Sequence, residues 1–158
     1  MATALKDDFD YGRGNGPPIA PSKGVPTGYA PHPADEFMGP AHLAYFRAKL
    51  LAWREAIVAE SRLTLNQLQA DSLLQPDLSD HASSETDWGL ELRTRDRQRK
   101  LIAKINAALR RIDTGDYGYC EVTGEPISLA RLEARPIATM TIEAQARHER
   151  HEKISRDD

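Results

Sequence analysis

A chain of 158 residues has room for one domain, or for a small domain with appendages, and excludes most large catalytic architectures. Apolar residues make up 40% and aromatic residues only 6%, which suits an extended helical protein better than a thick multilayer core. With 21 basic against 24 acidic side chains the net charge is -3, so the strong positive field of a DNA-coating protein is absent.

The first residues show no basic stretch followed by an apolar run, and no segment approaches the roughly 18 apolar residues of a membrane span. A cytoplasmic protein without membrane contact is the expectation. The one cysteine, Cys120, rules out an intramolecular disulfide and any four-cysteine zinc site.

Residues 1–33 hold five of the ten glycines and six of the ten prolines with almost no apolar periodicity, and read as a disordered arm. From about Pro40 the pattern changes. Leu43, Phe46, Leu50, Trp53 and Ile57 recur at alternating spacings of three and four, the stripe of a helix facing one partner. The same register continues through Glu60, Thr64 and Gln67, so the seam turns polar, with Leu63, Leu65 and Leu68 nearby. Pro76, between Leu74 and Asp77, stops this helix. Asp80 is placed to cap a second one.

The second helix is predicted from about His81 to Ile112, with Leu101, Ile105, Ala108 or Leu109, and Ile112 as its stripe, ending at Thr114-Gly115-Asp116. Two long helices joined by a short loop make an antiparallel hairpin, here spanning 34–112 with its tip loop at about 75–82. The apolar ends meet at the base and the polar ends at the tip, which projects on the order of 40 Å. Residues 113–158 form a small globular base: a turn-rich segment around Thr123-Gly124, a short helix over Leu129–Ala134 and a final one over Thr141–Lys153. The fold class is mainly α.

Several blocks carry a family resemblance: Glu91-Leu-Arg-Thr-Arg-Asp-Arg-Gln-Arg-Lys100-Leu-Ile, Gly115-Asp-Tyr-Gly-Tyr-Cys120-Glu, Arg131-Leu-Glu-Ala-Arg135-Pro136 and His42-Leu-Ala-Tyr-Phe-Arg47. Together they resemble the DksA/TraR family over roughly residues 36–150. The resemblance implies a monomeric regulator that enters the secondary channel of bacterial RNA polymerase and, with ppGpp, destabilises promoter open complexes. Ribosomal RNA transcription falls and some biosynthetic promoters are favoured, as in the stringent response. It implies a population shift among polymerase states, with no covalent chemistry and no sequence-specific DNA binding.

The family's tip motif falls on Asp77, Asp80 and Ala82, implying contact with the polymerase active centre; the bare residues equally suit a turn and a cap worth about 1 kcal/mol. The run Arg93 to Lys100 holds five cations and one carboxylate, by itself the pattern of a solvated helix face. Within it the resemblance implies polymerase binding through Arg93 and Arg97. It also implies a ppGpp site that includes Leu101, Lys104 and Arg135, as a co-regulator site shared with polymerase rather than a cofactor site of this chain alone. A further basic position of that site falls on Gln145, with Arg147 as a substitute.

Members of this family typically bind zinc through two Cys-x-x-Cys pairs, at positions matching Cys120, Thr123, Thr141 and Ala144. Threonine and alanine supply no thiolate, so a zinc-independent protein is expected, its base packed through Ile127, Leu129, Leu132, Ile137, Met140 and Ile142. A rebuilt site from Cys120, His148 and His151 is the rival.

Other readings are a coiled-coil adaptor, for which the tip carboxylates carry no role, and a channel factor of the Gre transcript-cleavage class. A zinc-finger nucleic-acid binder is disfavoured by cysteine count and charge. An enzyme is not expected, because no nucleophile–base constellation or phosphate-binding glycine loop appears.

Overall fold

The computed structural model describes residues 25–26, 28–74 and 78–157. They form four helices in the order α1 (Pro40–Leu74), α2 (Leu78–Thr114), α3 (Leu129–Ala134) and α4 (Ile142–Asp157). No helix among the described residues is long and apolar enough to cross a membrane.

Helix α1 starts on a proline, whose fixed φ suits the first helical position and whose missing N–H is not needed there. Its 35 residues span about 52 Å at 1.5 Å each, and the 37 of α2 about 55 Å. The arms run antiparallel. Arg47 pairs with Asp113, Arg54 Nη1 donates to Asn106 Oδ1 at 2.8 Å, and Ser61 Oγ donates to Gln98 Oε1 at 2.5 Å. These positions advance by sevens along α1 while receding by seven and then eight along α2, the repeat of a two-helix seam.

Inside this ladder lies the expected apolar stripe. Phe46, Leu50 and Ile57 are fully buried against Ile105, Ala108, Leu109 and Ile112, while Leu43, Trp53 and Leu101 are half-buried at its margins. Beyond Ile57 on α1 and before Ile105 on α2, no described residue is fully buried. Leu63, Leu73, Leu90 and Leu92 instead stand exposed, so the outer half of the hairpin is loosely packed, as its polar seam foretells.

The tip departs from expectation in one respect. Helix α2 begins at Leu78, so Asp80 is already helical backbone and not the cap, and residues 78–82 of the expected loop belong to the helix. After Pro76 nothing in Leu78-Ser79 opposes helical dihedrals, and the helix extends back by a turn. At its other end α2 closes in a Schellman motif: Asp116 N–H bonds the Arg111 carbonyl at 2.9 Å and Gly115 N–H the Ile112 carbonyl at 3.4 Å. Gly115 supplies the positive φ, +84°, that this ending requires.

The base is built on α2's exit. Residues 118–127 fold into a tight knuckle held by Cys120 N–H to the Glu125 carbonyl and Ile127 N–H to the Gly118 carbonyl, at 2.8 and 2.7 Å. Tyr117, Cys120, Ile127, Leu132, Ala138 and Ala144 continue the hairpin core downward, with Leu129, Ile137 and Met140 packed at its edge. Ile142, expected among them, is 60% exposed. It occupies the first position of α4 and turns outward because Thr141 turns inward to cap that helix, accepting the Ala144 N–H at 3.2 Å. The helix itself runs to Asp157, four residues past its expected end at Lys153.

Most of the arm expected to be disordered, residues 1–24 and 27, lies outside the described residues. Its last part is packed. Val25 and Tyr29 lie against the core, and the Tyr29 ring meets Tyr45 edge-on at 6.1 Å. Tyr29 Oη donates to Asp35 Oδ2 at 2.7 Å, closing a short strap that leads into α1. Aromatic side chains separated in sequence from any apolar stripe found a surface that only the assembled base presents.

Candidate functional site

Three regions gather the residues singled out in the sequence. At the tip, Asp77 lies outside the described residues, while Asp80 and Ala82 are backbone positions in the first two turns of α2.

Along the outer part of α2, the basic run is sorted by its own carboxylates. Arg95 lies 3.7 Å from Glu91, and Asp96 takes both Arg99 and Lys100 at 2.9 Å. Lys100 first and Arg99 second hold the Asp96 carboxyl below its ordinary range. Arg93 and Arg97 have no carboxylate partner among the described residues, and both are exposed; Arg97 bonds only the Thr94 hydroxyl, at 3.3 Å. Two guanidinium groups four residues apart therefore remain available on one side of the helix.

The third region lies where α2 meets the base. Leu101 is half-buried against the core, and Lys104 is exposed one turn further along. Arg135 is exposed at the C-terminal end of α3, its N–H bonded to the Arg131 carbonyl at 2.7 Å. No hydrogen bond or ion pair among the described residues joins these three side chains, which stand on two separate elements, α2 and the C-terminal end of α3. Gln145 is committed internally: its Oε1 accepts from Arg131 Nη2 at 2.5 Å and its Nε2 donates to Glu149 at 2.9 Å. Arg147, one turn from the base on α4, is exposed.

Sequence reasoning missed a cluster beside this region. Glu133 Oε1 accepts from Tyr45 Oη at 2.8 Å and from Lys49 Nζ at 2.5 Å, tying α1 to α3. Burial, then the hydrogen bond to Glu133 and its charge, push the Tyr45 phenol well above its ordinary pKa. No local pattern announces a pairing across 84 residues.

The four positions that match the family's zinc ligands do not fit zinc. No group of three or more potential ligands is assembled among the described residues. Thr141 Oγ1 is spent on capping α4, Ala144 is an apolar core residue, and Thr123 Oγ1 faces Glu125 at 3.3 Å. The proposed trio of Cys120, His148 and His151 is not assembled either; His148 lies 3.4 Å from Glu152 on its own exposed helix face. Cys120 has a different surrounding. Burial pushes its thiol pKa up, but hydrogen bonds from the Thr123 side chain and from the backbone of Thr141, Thr123 and Val122 outweigh that, holding it at about 7.

Comparison with known proteins agrees with this architecture. The family described as DnaK suppressor protein DksA, N-terminal domain, matches residues 42–112, and the prokaryotic dksA/traR C4-type zinc finger family matches 115–150. The RNA polymerase-binding transcription factor DksA of Caulobacter vibrioides is 62% identical over 130 residues, 82% of this chain and 92% of that one. Its namesake in Escherichia coli K12 is 42% identical over 125 residues, 79% and 83% of the two chains. The solved structure of transcription factor DksA2 from Pseudomonas aeruginosa superposes with a TM-score of 0.69 at 41% identity, covering 74% of this chain and 90% of that one. With hairpin and base both matched, the chain belongs to the DksA/TraR family, as a member whose zinc-finger region retains one of the four cysteines.

Proposed function

We propose that this protein is a transcription regulator that binds bacterial RNA polymerase, inserting the α1–α2 hairpin into the secondary channel. The observation that carries this reading is the 62% identity to a factor named for RNA polymerase binding, over a stretch that includes hairpin and base together. The geometry supports it. A long arm with a firm inner half and a loosely packed outer half can reach into a channel and adapt at its end, and Arg93 and Arg97 offer unpaired cations along its flank.

In this reading Asp77 and Asp80, with Ala82 beside them, act at the polymerase active centre, and ppGpp bound at Leu101, Lys104 and Arg135 strengthens the effect. Regulation works by differential affinity for polymerase states, so no chemical step is required of the protein. The base functions without zinc, because its own packing and the bond from Glu121 N–H to the Thr139 carbonyl hold the knuckle against the segment leading into α4.

Single-round transcription from a ribosomal RNA promoter with the cognate polymerase tests the proposal. The wild-type protein should inhibit, more strongly with ppGpp, and the Asp77→Asn/Asp80→Asn form should bind polymerase without inhibiting. A wild-type protein that binds but leaves initiation unchanged in both conditions contradicts the regulatory reading.

A further inference from the structure

We propose that Lys49, through Glu133, is a positioning residue that fixes Arg135 for recognition of a polyphosphorylated nucleotide; this rests on the ppGpp reading given above. Lys49 Nζ makes two bonds to one residue, to Glu133 Oε1 at 2.5 Å and to the Glu133 carbonyl at 2.8 Å. That carbonyl belongs to the last turn of α3, where free carbonyls and the negative end of the helix dipole favour a cation. Tyr45 Oη adds a second bond to that carboxylate, and the Lys49 ammonium lies 5.9 Å from the Tyr45 ring centroid.

Arg135 follows two residues later. Its N–H is bonded to Arg131 at 2.7 Å and its carbonyl accepts from Ala138 at 3.0 Å. The next residue, Pro136, is buried, and its carbonyl accepts from the hydroxyl of the fully buried Tyr117 at 2.7 Å. The Arg135 backbone is thus fastened to α1 on one side and to the core on the other. Its guanidinium is exposed and has no partner among the described residues.

A pinned backbone carrying an uncommitted guanidinium suits phosphate binding, since the donor fork is offered with little further ordering to pay for. Stability is a poor explanation for the pair. The Glu133 side chain is 46% exposed, and ion pairs at such positions add little to folding. What the contact does is set where α3 ends relative to α1.

The test uses the full chain bound to its cognate polymerase, with labelled ppGpp as the probe and polymerase alone as the baseline. Polymerase affinity without ppGpp is measured in parallel. Arg135→Ala should weaken ppGpp binding roughly tenfold or more, as expected for a lost charged hydrogen-bond donor. Lys49→Met should weaken it about fivefold through lost preorganisation. Polymerase affinity should be unchanged in the Lys49 variant, and Lys49→Arg, which keeps the charge and the reach, should restore ppGpp binding.

If Arg135→Ala weakens ppGpp binding and Lys49→Met does not, positioning by Lys49 is overturned while the ppGpp reading stands. If Arg135→Ala has no effect, both are overturned. If Lys49→Met weakens polymerase and ppGpp binding alike and Lys49→Arg restores neither, the residue is structural and the proposal fails.

Discussion

The main-chain N–H of Glu121 is bonded to the Thr139 carbonyl at 2.9 Å, joining the knuckle after α2 to the segment that leads into α4. Glu121 follows Cys120 and Thr139 lies two residues before Thr141, the first and third of the four degenerate ligand positions, so a hydrogen bond links segments that a metal links in a four-cysteine zinc finger. Although burial opposes ionisation, the Thr123 hydroxyl and three backbone donors prevail and bring the thiol to about 7. Alkylation of Cys120 should follow a pH profile with a midpoint near that value. Thr123→Val removes the first of the opposing bonds and should move the midpoint upward. A wild-type midpoint in the usual thiol range contradicts the hydrogen-bonded cradle.

Metal removal offers a separate check on the base. Because Thr123, Thr141 and Ala144 hold other roles, treatment with a strong zinc chelator should leave the thermal unfolding midpoint unchanged. A fall in the midpoint that added zinc reverses would show that the base binds metal after all.

The hairpin should lose stability unevenly along its length. Ile105 is fully inaccessible between α1 and α2, and Ile105→Ala is expected to cost about 2–5 kcal/mol in urea unfolding. Leu63 is 69% exposed on the outer half, and Leu63→Ala should fall within about 0.5 kcal/mol of wild type. Equal effects would mean that the outer half is as tightly packed as the inner.

Gly118 fits against Met38. Its φ is +87°, and a Cβ there would stand 2.6 Å from the Met38 Cγ and Sδ atoms. Gly118→Ala combines backbone strain with overpacking and should destabilise by about 1–3 kcal/mol. The strap over residues 28–39 should become more sensitive to proteolysis in the same variant. Unchanged stability and cleavage would show that Met38 moves aside freely.

Acid should release the strap by a different route. The Tyr29 hydroxyl first, and then the His32 N–H, hold the Asp35 carboxyl below its ordinary range. A depressed folded-state pKa means a stabilising contribution that is complete above the unfolded carboxylate pKa and lost as pH falls through the lower folded value. Amide exchange around Tyr29 and His32 should therefore accelerate only below the usual carboxylate range. Asp35→Asn should abolish that pH dependence; an unchanged profile in the variant would assign it to another group.

Much of the architecture was legible from pattern alone. The spacing of Phe46, Leu50 and Ile57 against Ile105 and Ile112 specifies two apolar stripes, and Gly115 marks the end of α2, because helical periodicity and positive φ are local properties. The polar seam beyond Glu60 likewise announced a looser outer half. The start of α2 was misplaced because Asp80 is as acceptable inside a first helical turn as at a cap, and local propensity does not separate the two.

The sequence by itself determined the hairpin, its polarity and the loss of the thiolate tetrad, all of which depend on residue identity and short-range spacing. Tertiary structure alone decided that Lys49 and Tyr45 reach Glu133 and that Arg54 meets Asn106 across the hairpin. Those are contacts of single polar atoms between elements distant along the chain. Hydrophobic periodicity positions the elements, but only their packed arrangement brings such atoms within the few ångströms at which a hydrogen bond forms.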